Sequence, residues 1–276
     1  MKFARLTVRR CGHLALAAFG LVACLTGGGA GHAWAIPDQP ERLDFGGLVR
    51  TYSLHVPAGL DHPVGLVVNL HGAGATGADQ ERDTNYDAVA DAHGFIVAYP
   101  DGIDFSWADG RGPSQPDRQG IDDVGFITAL VGKLVADFGV DPGHVFATGM
   151  SAGAFMVNRL ACERADVFAA IAPVAGTLGV NAGCAPSRPV SVLATHGTAD
   201  PIVPFDGGGM NGRGGPSVIV SAPEMVARWR QADGCQDGPV CAAGTAVVLK
   251  QIDGGGHVWP GDASDASWQF FAAHSR

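Results

Sequence analysis

The stretch of sequence that decides the fold is Val145-Phe146-Ala147-Thr148-Gly149-Met150-Ser151-Ala152-Gly153-Ala154. Its apolar run, its tight turn with a serine at the tip and the helical pattern that continues to Cys162 predict a strand, a sharp turn and a helix. Glycines two residues before and after the serine are needed because a Cβ there would collide with the neighbouring strand and helix. We therefore expect an exposed Ser151 hydroxyl at the end of a buried strand, with the backbone N–H of Ala152 aimed at a developing oxyanion.

Short apolar runs alternate with amphipathic helical patterns on both sides of this stretch. Buried strands are predicted at residues 64–70, 94–99, 168–174, 190–194 and 246–252, and helices at residues 82–92, 122–138, 223–231 and 264–274. Residues 43–56 predict an antiparallel edge hairpin, whereas the glycine-rich residues 206–215 predict a loop. Residues 36–276 are therefore predicted to form a single α/β domain, a mostly parallel sheet with helices on both faces.

The N-terminal residues have the pattern of an export signal rather than of a folded core. Four basic residues precede an apolar run at residues 14–25 and the triplet Ala33-Trp34-Ala35. This pattern predicts a signal peptide over residues 1–35, cleaved after Ala35. The alternative is a lipoprotein signal over residues 1–23, because residues 21–24 resemble a bacterial lipobox that would leave Cys24 acylated. Either reading exports the protein, to the periplasm or to the extracellular space.

Charge and cysteine usage agree with export. The chain has a net charge of −9, and removal of residues 1–35 takes away four of its 18 Lys and Arg and none of its 27 Asp and Glu, which leaves −13. Such an acidic protein has no electrostatic footprint for nucleic acid or for an anionic membrane surface. Four cysteines remain, and their proximity favours the pairs Cys162–Cys184 and Cys235–Cys241. A zinc site is the alternative, but no Cys-x-x-Cys pair supports it.

A serine hydroxyl becomes a nucleophile when a base takes its proton and a third group orients that base. In serine enzymes built on such a sheet, the acid follows the serine along the chain and the histidine follows the acid. Asp200 lies just past the end of a predicted strand, and His257 lies in a glycine-rich loop after the last one. His274 follows the closing helix and is the poorer candidate. We therefore predict Ser151, Asp200 and His257 as the catalytic residues.

Three further segments are predicted to surround this serine. The strand at residues 64–70 ends in the glycine-rich turn that begins with His71, and Ala73 of this turn is expected to supply the second oxyanion N–H. The long loop at residues 101–120 is a candidate rim of the substrate cleft, with Trp107 as a stacking surface; a solvated loop is the alternative. We expect Trp259, next to the predicted base, to contribute to the same rim, and His71 to contact substrate.

Six motifs occur together and in order along the chain. They are Leu70-His71-Gly72, Tyr99-Pro100-Asp101-Gly102, Asp122-Asp123-Val124-Gly125-Phe126, Gly149-Met150-Ser151-Ala152-Gly153, His196-Gly197-Thr198-Ala199-Asp200 and Gly256-His257-Val258-Trp259-Pro260. From about residue 43 to the C-terminus the chain thereby resembles the esterase/polyhydroxybutyrate depolymerase family, which also contains feruloyl and acetylxylan esterases. The resemblance implies an α/β-hydrolase fold, the triad and oxyanion hole named above, and no metal or cofactor. One departure is Ala73, where many relatives carry Cys.

The expected function is that of an exported serine esterase, acting on hydroxyalkanoate oligomers or other short-chain esters. A feruloyl or acetylxylan esterase acting on plant cell-wall esters is the alternative within enzymes. A surface-binding lipoprotein without catalysis is the alternative outside them, and the intact triad argues against it. A polymer-binding domain after the catalytic one is not expected, and the oligomeric state is left open.

Overall fold

The computed structural model of the protein describes residues 40–235, 238–241 and 243–276. The predicted signal peptide at residues 1–35 and its alternative, lipid attachment at Cys24, lie outside this part of the chain. Within the described part, no helix is both long enough and apolar enough to cross a membrane.

An eight-stranded sheet runs through the protein. Its strands are β1 (Glu41–Phe45), β2 (Leu48–His55), β3 (Leu66–Leu70), β4 (Ile96–Pro100), β5 (Val145–Met150), β6 (Ala170–Val174), β7 (Ser191–Gly197) and β10 (Val247–Ile252), in the spatial order β1-β2-β4-β3-β5-β6-β7-β10. Strand β2 pairs antiparallel with both β1 and β4 at one edge, and the five pairs from β4 to β10 are parallel. The predicted mostly parallel α/β sheet is therefore confirmed.

Helices cover both faces of this sheet. They are α1 (Gly77–Thr84), α2 (Tyr86–His93), α3 (Gln115–Gln119), α4 (Asp123–Phe138), α5 (Ala152–Glu163), α6 (Ala222–Ala232) and α7 (Ala263–Ala272). Alternate residues of β3 divide between two cores, because successive side chains of a strand point to opposite faces. Leu66 and Val68 pack with α4, α5 and α6, whereas Val67 packs with α2 and α7. Coverage on both faces explains why the central strands are apolar at nearly every position.

The edge hairpin predicted at residues 43–56 is present. Strands β1 and β2 are joined by Gly46 and Gly47, whose φ angles are +60° and +77°. Two successive residues with positive φ are what the tightest hairpin turns require, and glycine adopts this conformation without steric cost. The Gly-Gly pair therefore sets the register of the edge.

The prediction of a loop over residues 206–215 is wrong. Strands β8 (Gly208–Gly212) and β9 (Gly215–Ile219) pair antiparallel there and form a separate two-stranded hairpin. Glycine-rich sequence disfavours strands by propensity, but packing overrides propensity in this case. Met210 and Ile219 are buried in a small cluster of their own with Phe155 and Val203. We call this element the β8–β9 hairpin.

Both predicted disulfide pairs are confirmed. Cys162 bonds to Cys184 across 22 residues, and Cys235 bonds to Cys241 across six residues. The first bridge fastens the C-terminal end of α5 to the segment between β6 and β7. These bridges agree with the oxidising compartment that the export signal predicts.

Candidate active site

Ser151 sits on a sharp turn between β5 and α5. Its φ and ψ angles are 55° and −116°, a conformation that is costly for a residue with a Cβ and that persists where the surroundings impose it. Its backbone N–H donates to the carbonyl of Val174 at 2.9 Å. A Cβ on Gly149 or Gly153 would lie 2.7 Å or 2.1 Å from the carbonyl oxygen of Leu70. The two flanking glycines are thus required by the close approach of β3, as the sequence pattern predicted.

Asp200 and His257 meet because they follow neighbouring parallel strands, β7 and β10. His257 Nδ1 lies 2.8 Å from Asp200 Oδ2. The other carboxylate oxygen, Oδ1, accepts hydrogen bonds from the N–H groups of Ile202 at 2.8 Å and Val203 at 2.9 Å. The Asp200 side chain is fully buried and that of His257 is 16% exposed. The carboxylate is therefore fixed by backbone donors, and it in turn fixes one edge of the imidazole.

A pocket of about 260 Å³ brings the predicted site residues together. Ser151, His257, Ala73 and Ala152 all line it. Three other segments complete its wall, namely part of the loop between β4 and α3, Ile202 after Asp200, and the β8–β9 hairpin at Met210–Gly214. The hairpin and the arginines of this wall are absent from the sequence-based site. The glycine-rich sequence of the hairpin has no periodic pattern from which its strands, and hence its place in the wall of the cleft, could be predicted.

His71, which we expected to contact substrate, is fully buried and lies outside the set of described residues that line the pocket. Its Nε2 accepts from the backbone N–H of Gly102 at 2.9 Å, and this requires the Nδ1 proton that donates to the carbonyl of Gly72 at 2.7 Å. Burial lowers the pKa of His71, which agrees with the neutral ring. The histidine therefore fastens the loop that carries Ala73 to the loop after β4.

Neither predicted tryptophan forms an aromatic rim. Trp107 is fully buried, and its indole N–H donates to the carbonyl of His71 at 2.9 Å. The expectation of a stacking surface is wrong for Trp107, because its polar edge satisfies a buried carbonyl and its ring packs in the core. Trp259 is half-buried and donates to Ser264 Oγ at 3.1 Å. It lies against the core beside α7 and is outside the set of described residues that line the pocket.

A second histidine lies behind the Asp200–His257 pair. His196 is buried, its Nε2 donates to the carbonyl of Val203 at 2.9 Å, and this nitrogen lies 3.6 Å from Asp200 Oδ2. Burial lowers the pKa of His196, so the ring is neutral near neutral pH. His196 therefore adds no positive charge beside Asp200 near neutral pH.

The two buried histidines predict a loss of stability in acid. Because burial lowers the pKa of His71 and His196 in the folded state, the unfolded chain binds more protons as pH falls below about 6.5. Each of them then removes up to about 1.4 kcal/mol of unfolding free energy per pH unit. Urea unfolding between about pH 7 and about pH 5 should give a smaller loss for His196→Gln than for the wild type. The exposed His62→Gln is the control. Equal losses in all three proteins would contradict this account.

Comparison with known proteins finds similarity to esterases. The family described as esterase PHB depolymerase matches residues 50–236. "Putative esterase NocK" from Nocardia uniformis subsp. tsuyamanensis is 35% identical over 251 residues, which cover 78% of this chain and 72% of that protein. "Probable feruloyl esterase C" from Aspergillus niger is 31% identical over 250 residues, which cover 81% of this chain and 84% of that protein.

Solved structures agree on the fold. The acetyl xylan esterase from Aspergillus awamori superposes with a TM-score of 0.57 at 19% identity, over 81% of this chain and 94% of that chain. An S-formylglutathione hydrolase from Agrobacterium tumefaciens gives the same TM-score at 14% identity, over 86% and 94%. At such low identity these likenesses bear on the fold, which is that of the α/β-hydrolases. The chain belongs to the esterase PHB depolymerase family, and it is a carboxylic ester hydrolase.

Proposed function

We propose that the protein hydrolyses esters through a covalent acyl-enzyme on Ser151. Ser151 Oγ attacks the ester carbonyl while His257 Nε2 takes its proton, and Asp200 holds the imidazole in the tautomer that this transfer needs. The N–H groups of Ala73 and Ala152 stabilise the oxyanion of the tetrahedral intermediate. His257 then protonates the leaving alcohol. Water attacks the acyl-enzyme by the same route, which releases the acid and restores the serine.

One observation carries this proposal. The 2.8 Å contact between His257 Nδ1 and Asp200 leaves Nε2 as the free nitrogen of a ring that lines the same pocket as Ser151. Asp200 accepts hydrogen bonds from Ile202, Val203 and His257, so its orientation is set before substrate arrives. This is the preorganisation that a base-activated serine needs. A binding protein without catalysis would have no use for this arrangement.

The pocket favours small substrates. Its volume of about 260 Å³ lies below the usual range for drug-sized ligands. We infer that soluble short-chain esters and hydroxyalkanoate oligomers are the substrates. Hydroxycinnamoyl or acetyl esters of plant cell walls are the second candidate, because relatives carry the names feruloyl esterase and acetylxylan esterase. The burial of Trp107 removes the aromatic surface that would have favoured a hydroxycinnamoyl group.

A substrate panel tests this assignment. At equal enzyme, initial rates on p-nitrophenyl butyrate and on a hydroxybutyrate oligomer should exceed those on methyl ferulate and on a polyhydroxybutyrate film. A small pocket and an acidic chain give no means of adsorbing to a solid polyester. Clearing of the film with negligible hydrolysis of every soluble ester would contradict the assignment. Methyl ferulate as the fastest substrate would select the second candidate.

We further propose that the protein works outside the cytoplasm. The basic, apolar and small-residue order of residues 1–35 supports export, and the two disulfides support an oxidising compartment. Its partners are then small ester molecules rather than nucleic acid. Edman sequencing of the exported protein distinguishes the two signals, because cleavage after Ala35 leaves a free N-terminus at Ile36 and acylation at Cys24 leaves a blocked one.

A further inference from the structure

The pocket around Ser151 is basic although the protein is acidic. The chain carries a net charge of −9, yet the charged residues among the described lining of this pocket are Arg111 and Arg213, with no Asp or Glu. His257 is the one other titratable side chain in the same lining. A positively charged pocket in a protein of negative net charge needs a local cause, because an even distribution of the surface charges would make the pocket negative.

Arg213 stands at the mouth of the pocket with its charge weakly compensated. It lies in the turn of the β8–β9 hairpin, and its side chain is 43% exposed. Its contacts with Asp104 are long: Nε donates to the carbonyl oxygen at 3.2 Å and Nη2 lies 3.4 Å from Oδ1. Its Nη1 lies 4.0 Å from the position that a Cβ on Gly74 would take, one residue after Ala73. The guanidinium therefore reaches the proposed oxyanion loop and keeps donors free for a ligand.

Arg111 lies deeper in the same wall and is better compensated. Its side chain is 8% exposed, and it forms a two-pronged pair with the buried Asp109, with Nη2 at 2.6 Å from Oδ2. Its guanidinium lies over the ring of Phe155 at 3.9 Å. Its Nη1 donates to the thioether of Met210 at 3.5 Å, and a thioether is a weak acceptor. Asp109 thus neutralises most of this charge, and Arg111 retains a donor that a stronger acceptor could take.

We propose that the pocket selects esters that carry a free carboxylate, with Arg213 as the residue that binds it. A guanidinium pairs with a carboxylate through two parallel N–H donors, which gives orientation as well as attraction. An acid-terminated hydroxyalkanoate oligomer carries such a group, and a neutral sugar ester does not. This inference rests on the proposed function, since it names the substrate class of the same site.

The alternative is that Arg213 has only a structural role and holds the β8–β9 hairpin against the loop at Asp104 and Phe105. The Phe105 ring centroid is 5.6 Å from the guanidinium carbon of Arg213. Loss of a purely structural residue would slow the hydrolysis of all substrates alike, whereas loss of a carboxylate-binding residue would slow only that of substrates that carry a carboxylate. The two roles therefore separate in a comparison of substrates that differ in that group alone.

The experiment uses two matched pairs of soluble esters. The first pair is the linear dimer of 3-hydroxybutyrate and the same dimer capped as its primary amide; the second is monomethyl adipate and methyl hexanoate. We would measure kcat/KM for wild type, Arg213→Met, Arg213→Lys and Arg228→Met. Arg228 is the matched control, because it is 40% exposed, pairs with Glu224 and lies on α6 away from the pocket.

The wild type should prefer the acid of at least one pair, and Arg213→Met should lower that preference by at least about fivefold. Arg213→Lys should retain part of it, Arg228→Met should retain all of it, and rising salt should erode it. No preference in the wild type, or an equal loss on acid and neutral partner in Arg213→Met, would overturn the inference while leaving the serine mechanism intact. Failure of the wild type on all four esters would instead count against the proposed function itself.

Discussion

Ser151→Ala should abolish ester hydrolysis while leaving the fold intact. Removal of the nucleophile of a serine triad typically lowers kcat by about 10⁶-fold, since the three residues act as a unit. The substitution shortens a half-buried side chain on a turn whose backbone is held by Val174 and by the flanking glycines, so unfolding should change little. Turnover of p-nitrophenyl butyrate and thermal unfolding of both proteins are the measurements.

A second pocket serine provides the control for this loss. Ser106 lines the same pocket and lies in the loop after β4. Ser106→Ala should lose far less activity than Ser151→Ala, because the mechanism assigns its hydroxyl no proton to transfer. Comparable losses in the two variants, or substantial activity in Ser151→Ala, would contradict the assignment of the nucleophile.

His257→Ala should be as damaging as Ser151→Ala, whereas His274→Ala should be nearly silent. His257 lines the pocket and contacts Asp200, so its loss removes the base from the serine. His274 follows α7. Its ring stacks on that of Phe270 with 4.2 Å between the centroids, and its Nδ1 donates to the Phe270 carbonyl at 2.7 Å. Asp200→Asn should cost about 10⁴-fold, because an amide at this position mis-sets the imidazole tautomer.

Ser151→Ala, His257→Ala and Asp200→Asn should also share a pattern in their kinetic constants. Because each acts on the chemical step, kcat should fall while KM for p-nitrophenyl butyrate changes little. A large loss of esterase activity in His274→Ala together with retained activity in His257→Ala would show that the base had been assigned to the wrong histidine. A large rise in KM without loss of kcat in Asp200→Asn would place Asp200 in substrate binding rather than in orientation of the base.

The part of the candidate site that could be predicted from the sequence consists of the residues that follow the ends of strands. Ser151, Asp200 and His257 each follow a parallel strand of the central sheet, and the carboxyl ends of parallel strands lie at one edge of the sheet. Their order along the chain then selects the acid and the base from other candidates. The edge hairpin around Gly46 and the disulfide pairs followed from equally local signals, a turn type and a short separation.

The walls of the pocket could not be predicted in this way. Trp107 lies in a polar, glycine-rich loop, and its burial depends on the His71 carbonyl that the fold brings next to it. The β8–β9 hairpin has glycine where strands usually have branched residues, and tertiary packing of Met210 and Ile219 stabilises it. The basic character of the pocket arises from two arginines 102 residues apart in the sequence, Arg111 and Arg213. Long-range packing decides each of these features.

The central claim is that Ser151 is the nucleophile, and covalent labelling tests it most directly. Trypsin should release residues 134–159 as one peptide that holds Ser151 as its single serine. After treatment with a fluorophosphonate, mass spectrometry should find one phosphonyl group on this peptide in the wild type and none on it in Ser151→Ala. His257→Ala should react far more slowly, because the base activates the serine. Labelling of another serine with residues 134–159 unmodified would contradict the account.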